Sequence, residues 1–137
     1  ISVTVNQVTA YNEATRLSAS CVQDRLEPYR YKFTFSKPVQ AFSYYTSYVE
    51  VLFDTERDVP LCIHIQYDTT SYKQLFHIMK SMADEIWNTL DNGQLVTSCV
   101  FSNCVIYFYD SAPVVGCVLS DVQIAINNLR ATGTKVR

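Results

Sequence analysis

Hydrophobic and polar positions follow two different periods along this chain, and the change from one to the other divides it. Ile1, Val3 and Val5 alternate with Ser2, Thr4 and Asn6, the period of two that marks a half-buried strand. Residues 9–28 are mixed and polar and predict a loop, with a helical turn near 12–17. Tyr29, Tyr31, Phe33 and Phe35 then alternate with Arg30, Lys32 and Thr34, a strong strand signal that Ser36–Lys37–Pro38 is expected to close. A run rich in aromatic and β-branched residues covers 41–53 and sets Val49, Val51 and Phe53 on one face. Beyond the charged TERD segment, Leu61, Ile63, Ile65 and Tyr67 face one way, and Cys62, His64 and Gln66 the other. Strands at 40–53 and 60–67 are expected to form a hairpin across that loop.

From Ser71 to Gly93 the period changes. Leu75, Met79, Met82, Ile86 and Leu90 recur at intervals of three and four, the spacing of one helix face. Phe76, Ala83 and Trp87 widen the stripe. Ser71 with Gln74 reads as a capping box, and Asp91–Asn92–Gly93 as a stop in which Asn92 or Gly93 takes positive φ. The pattern predicts a single helix over 71–93. Its stripe is wider than one sheet requires, so it implies cover on two sides or a partner. Strands follow at 94–101, 104–109 and 113–119, with turns at 102–103 and 110–113. A second helix at 121–131 begins after Ser120, and Gly133 ends it.

The element order β-β-β-β-α-β-β-β-α, joined by short turns, predicts an α+β fold. The expected form is a curved, mostly antiparallel sheet or partly closed barrel of about seven strands with two helices packed on it. The 137 residues fit a single domain over 1–137 and suffice to bury a core without staples. The chain begins at Ile1 rather than Met, which predicts a fragment or a processed product.

Composition narrows the chemistry. Only 3 glycines occur, far apart, so no Gly-rich phosphate-cradling loop is present. A net charge of −2 supplies no overall basic field for nucleic acid. Cys21, Cys62, Cys99, Cys104 and Cys117 form no CxxC, the motif of zinc ribbons and thioredoxin-like sites. They read as buried free thiols in a reducing, intracellular compartment; a secreted protein with two bridges and one spare thiol is the alternative. No apolar run approaches membrane-spanning length, so no membrane association is expected. Nothing in the pattern implies a cofactor or a metal.

Four groups of residues are candidates for function. Cys62 and His64 share a strand face, but i and i+2 side chains lie roughly 7 Å apart, too far for a direct thiol–imidazole bond. The carboxylates Asp54, Glu56, Asp58 and Glu85 read as solvated charges, so no catalytic residue is assigned. Arg30 and Lys32 interleave with tyrosines, as in sheets that bind single-stranded nucleic acid, although a merely wet outer face is favoured. Phe42, Tyr44, Tyr45 and Tyr48 lie in a segment that is aromatic on both faces, the composition of a doubly covered strand or of an interface. Together with Phe76 and Trp87 from the wide helical stripe, they are the expected partner surface.

The segments SKPVQ (36–40) and VEVLFDTERDVPLCIHIQY (49–67) resemble the last strands of eukaryotic DNA sliding clamps. There a Pro-Val-Gln segment precedes a strand, an acidic turn and a Val-Pro-Leu strand. The chain departs from that family: no helix separates the two segments, and it continues well past them to Arg137. It also lacks the basic helices with which a clamp rides on DNA, so no functional residue is carried over. The expected function is a non-enzymatic protein-interaction or assembly module, with a protein partner or self-association. A carrier of a small apolar ligand held between sheet and helix is the first alternative, and a nucleic-acid-associated role the second.

Overall fold

A computed structural model describes residues 22–27, 30–54, 56, 59–102 and 104–137. The strand expected at 1–5, the helical turn near 12–17 and Cys21 lie outside these residues. The described chain forms β1 (Val22–Glu27), β2 (Arg30–Ala41), β3 (Tyr44–Asp54), β4 (Val59–Gln66), α1 (Thr69–Met82), β5 (Glu85–Asp91), β6 (Gln94–Phe101), β7 (Cys104–Tyr109), β8 (Val114–Val118), α2 (Val122–Thr132) and β9 (Thr134–Lys135). The strands make one sheet in the order β1-β2-β3-β4-β8-β7-β6-β5-β9. Every pairing is antiparallel. The fold is thus α+β, an open antiparallel sheet with two helices. The described residues carry nine strands rather than about seven.

α1 makes the one long crossing. It carries the chain from β4, in the middle of the sheet, to β5 near the far edge. Three successive hairpins then bring it back until β8 pairs with β4, His64 opposite Gly116. The expected hairpin between 40–53 and 60–67 is present as β3–β4, with Glu50 opposite His64.

The single helix expected over 71–93 is two elements. α1 starts at Asp68, whose Oδ1 accepts the Ser71 N–H at 2.8 Å, and it stops at Ala83, where the backbone turns extended. β5 then runs to Asp91, and Asn92 and Gly93, at φ 51° and 78°, close a two-residue hairpin into β6. Both residues at positive φ is the type I′ turn that strand twist favours. The misreading has a physical source: Ile86 and Leu90, four apart, share a face at either period. The wide stripe was a helix and a strand read as one.

A second difference lies in 36–44. Ser36–Lys37–Pro38 does not end β2; the pairing register shifts between Thr34 and Val39 and then resumes, as at a bulge, where a strand tolerates proline. The run 41–53 is interrupted instead at Phe42 and Ser43, at φ 51° and 72°.

The two faces of the sheet have separate cores. On one, Val49, Ile63, Ile65, Ile106 and Phe108 pack with Leu75 and Met79 of α1. On the other, Val100, Val105 and Val118 pack with Ile126 and Leu129 of α2, with Trp87 and Tyr107 at the margin. The four described cysteines are free thiols, and the Cys104 and Cys117 sulfurs approach to 3.5 Å within the core. Among the described residues no helix is long and apolar enough to cross a membrane.

Candidate functional site

Strand register sets the site on the α2 face of the sheet. Arg30 and Lys32 of β2, Tyr48 and Glu50 of β3, and His64 and Gln66 of β4 alternate outward there, with Tyr109 of β7 beyond the narrow β8. Gly116 keeps β8 narrow. A Cβ at that position would lie 3.1 Å from His64 Cδ2 and 3.4 Å from Tyr107 Cδ2, so the bare backbone is what lets the two rings settle over it. His64 Nε2 then reaches the Tyr109 hydroxyl at 3.3 Å, with the rings edge to face at 5.5 Å.

The polar groups are already paired. Tyr48 Oη and Arg30 both donate to the Glu50 carboxylate, and Lys32 Nζ sits 5.2 Å from the Tyr48 ring centroid, a cation–π distance. Burial alone would raise the Glu50 pKa. The bonds from Tyr48 and Arg30, with the Arg30 charge, overturn that and hold the carboxyl below its ordinary range. Burial, with Glu50 accepting its hydrogen bond, pushes Tyr48 up to about 12. Burial lowers His64 against the opposing pull of Glu50, so the imidazole is neutral at neutral pH.

Two concavities adjoin these groups and share Asp91 and Tyr109. The first, about 580 Å³, is a groove between α2 and the sheet, with Leu61, Val96, Tyr107, Ala125 and Leu129 among its walls. Ile124 and Leu90, also in its lining, are 59% and 75% exposed. The second, about 370 Å³, is bounded by Tyr48, Glu50, His64, Gln66, Asp91, Gln94, Tyr109, Ala112 and Val114.

The residues expected at a partner surface are dispersed. Phe42 and Tyr44 are buried in the core of this chain, while Tyr45 between them and Tyr48 is 61% exposed. Phe76 lies against Phe108 at a centroid distance of 4.7 Å, with Lys80 Nζ 4.8 Å from its ring. Trp87 is not on α1 at all. It stands on β5 beside the α2 cluster, with Lys135 Nζ 6.0 Å from its ring. Of the expected helical stripe, Leu75, Met79 and Ile86 are buried within this chain, while Met82 and Leu90 are exposed. Arg30 and Lys32 do share a face, but their heads are engaged within the sheet.

Cys62 and His64 also share a face without acting together: His64 meets Tyr109, and the Cys62 thiol lies 3.7 Å from the Ile63 carbonyl. Burial pushes that thiol up to about 12, which leaves it protonated and a poor nucleophile. Among the described residues no group of His, Cys, Asp and Glu has the arrangement of a metal site. Glu50, Asp91 and Tyr109 went unnoticed in the sequence. The alternation of Tyr48–Glu50 against His64–Gln66 could have exposed the first, but Asp91 was absorbed into a helix stop and Tyr109 lies across a pairing of distant strands.

No family model, no curated protein and no solved structure matches the chain. The likeness to sliding clamps stands on residues 36–40 and 49–67 alone.

Proposed function

We propose that the chain is a non-enzymatic binding module that receives an apolar segment of a protein partner in the groove between α2 and the sheet. One observation carries the reading: Ile124 and Leu90, both largely exposed, line a groove whose other walls are half aliphatic and aromatic, with Leu61, Val96, Tyr107 and Leu129 among them, and half polar. Large apolar side chains left in water around a concave, partly apolar surface are the composition of a docking site. Tyr45 adds an exposed aromatic ring at the β2–β3 hairpin. The partner is another protein or a second copy of this chain.

Ile124→Glu and Leu90→Glu test the groove at positions exposed enough to leave folding intact. Sedimentation of the parent chain at rising concentration reads self-association, and parallel capture with parent and variant reads other partners. An association or bound protein that the double variant loses, at an unchanged melting temperature, is the expected result. A parent that stays monomeric and captures the same proteins as the variant would sink the proposal.

A second reading is favoured by the groove's size, which falls within the range of small-molecule sites: a small apolar ligand bound between helix and sheet. Native mass spectrometry of gently purified protein separates the two readings, since only a ligand adds a small mass. A nucleic-acid role has less support, because Glu50 and Tyr48 already engage the heads of Arg30 and Lys32.

A further inference from the structure

The smaller cavity differs from the groove in its chemistry. Its walls combine three rings, from Tyr48, His64 and Tyr109, with two carboxylates, Glu50 and Asp91, and two carboxamides, Gln66 and Gln94. Among the described residues none that lines it is a cation, and His64 is held neutral. At the β2 side Arg30 offsets Glu50 and Lys32 rests on the Tyr48 ring. At the opposite end the charge of Asp91 has no such offset among the described residues. It is felt by both His64 and Tyr109, raising the pKa of each against or alongside their burial. The cavity is thus electrically lopsided, with a negative end beside an aromatic wall.

We propose that this cavity is a binding site for an organic cation, an ammonium or guanidinium group on an apolar stem. The charged head lies at Asp91, beside its cross-strand neighbour Gln94, and the stem lies against Tyr109 and Tyr48. Both the carboxylate and the ring faces favour a cation. An anion of the same shape would meet two carboxylates and is rejected. A volume of about 370 Å³ admits an arylalkylamine and equally the side chain of a lysine or arginine. The shared chemistry is the cation, and its source is either a free amine or a basic residue of a protein.

The test is a titration of ¹⁵N-labelled chain followed by NMR, with phenethylamine, its anionic counterpart phenylpropionate, and the blocked tripeptides Ac-Gly-Lys-Gly-NH2 and Ac-Gly-Arg-Gly-NH2. Saturable shifts centred on Asp91, Gln94, Tyr109 and His64 are expected with the amine and not with the acid, weakening as salt is added. Asp91→Asn should weaken binding about fivefold or more, the upper end for an exposed charge pair. Gln94→Glu, which adds a carboxylate to the lining, should tighten it. That gain is beyond what misfolding would produce, and Ser111, now paired with Gln94, has a hydroxyl able to donate to the new carboxylate. Tripeptides that bind as well as phenethylamine assign the source to a protein side chain, and tripeptides that fail where it succeeds assign it to a free amine. Equal binding of acid and amine, no saturable shift with any probe, or Asp91→Asn and Gln94→Glu both without effect would overturn the proposal.

Discussion

Around Gly116 a single missing side chain sets the geometry of three others. His64 reaches Tyr109 only because its ring crosses the bare backbone of β8, with Cδ2 3.1 Å from where a Cβ would stand. Gly116→Ala should destabilise the fold by about 1–3 kcal/mol, the cost of overpacking a site that has little room to relax, as read by urea unfolding. An unchanged midpoint would mean that the ring moves aside freely. His64 also couples the fold to pH. Its pKa is lowered by burial, while Glu50 and Asp91 pull it up and Arg30 pulls it down. The folded state therefore binds this proton less readily than the unfolded chain, whose imidazole titrates near 6.5. Its contribution is present above that pH and is lost as pH falls toward the lower folded value. Glu50, also lowered, adds a later loss, below its ordinary 4.5. Melting temperatures between pH 8 and pH 5 should fall in the parent chain, and His64→Gln should flatten that decline while leaving the later, Glu50-dependent loss. A variant with the parent's slope would remove His64 from the account.

Strand alternation was legible wherever the chain pairs with a close neighbour. β3–β4, β6–β7 and the second helix all stand near their expected places, because a period of two with a short turn leaves few ways to fold. Errors arose where one spacing serves two structures. Ile86 and Leu90 obey helix and strand alike, and Asp91–Asn92–Gly93 signals a hairpin as well as a helix end. The turn at Phe42–Ser43 was illegible for another reason. It has the type I′ geometry of Asn92–Gly93 without a glycine, and the buried Phe42 ring is held at a left-handed φ by its place in the core. Tyr67 Oη reinforces the turn by donating to the Ala41 carbonyl at 2.5 Å. Left-handed backbone costs an ordinary residue about 1–2 kcal/mol, while glycine brings back about 0.5–1 kcal/mol of chain entropy. Ser43→Gly should thus stabilise the chain by up to about 1.5 kcal/mol, seen as a small rise in the unfolding midpoint. A loss of stability would show that Ser43 makes a contact worth more than its strain.

At the scale of the whole molecule, the sheet order was not written in any local pattern. β4 meets β8 only after α1 has crossed a face and three hairpins have returned, so the site at His64, Gly116 and Tyr109 joins strands that no short-range signal links. The same path leaves β5 near an edge, where unpaired backbone groups invite pairing with another chain. The C-terminal segment guards it. β9 pairs with Trp87 and Asn88, Ile86 exchanges backbone bonds with Val136 and Arg137, and Lys135 reaches Glu85 at 3.5 Å. Arg137 also donates to the carbonyls of Lys80 and Ala83, at 2.7 Å and 2.6 Å, where the end of α1 has acceptors to satisfy. Removing 134–137 therefore takes away an edge strand and a helix cap together, and leaves exposed Leu90 on an open strand. The truncated chain should melt at a lower temperature and associate at concentrations where the parent does not. Sedimentation at matched concentrations reads the second effect. Val136→Pro separates the causes: it removes the Val136 N–H that donates to the Ile86 carbonyl on the β5 edge while retaining the Arg137 side chain. Association in both variants assigns the effect to the open edge. Association in the truncation alone assigns it to the loss of the α1 cap, and two monomers would show that β5 needs no guard.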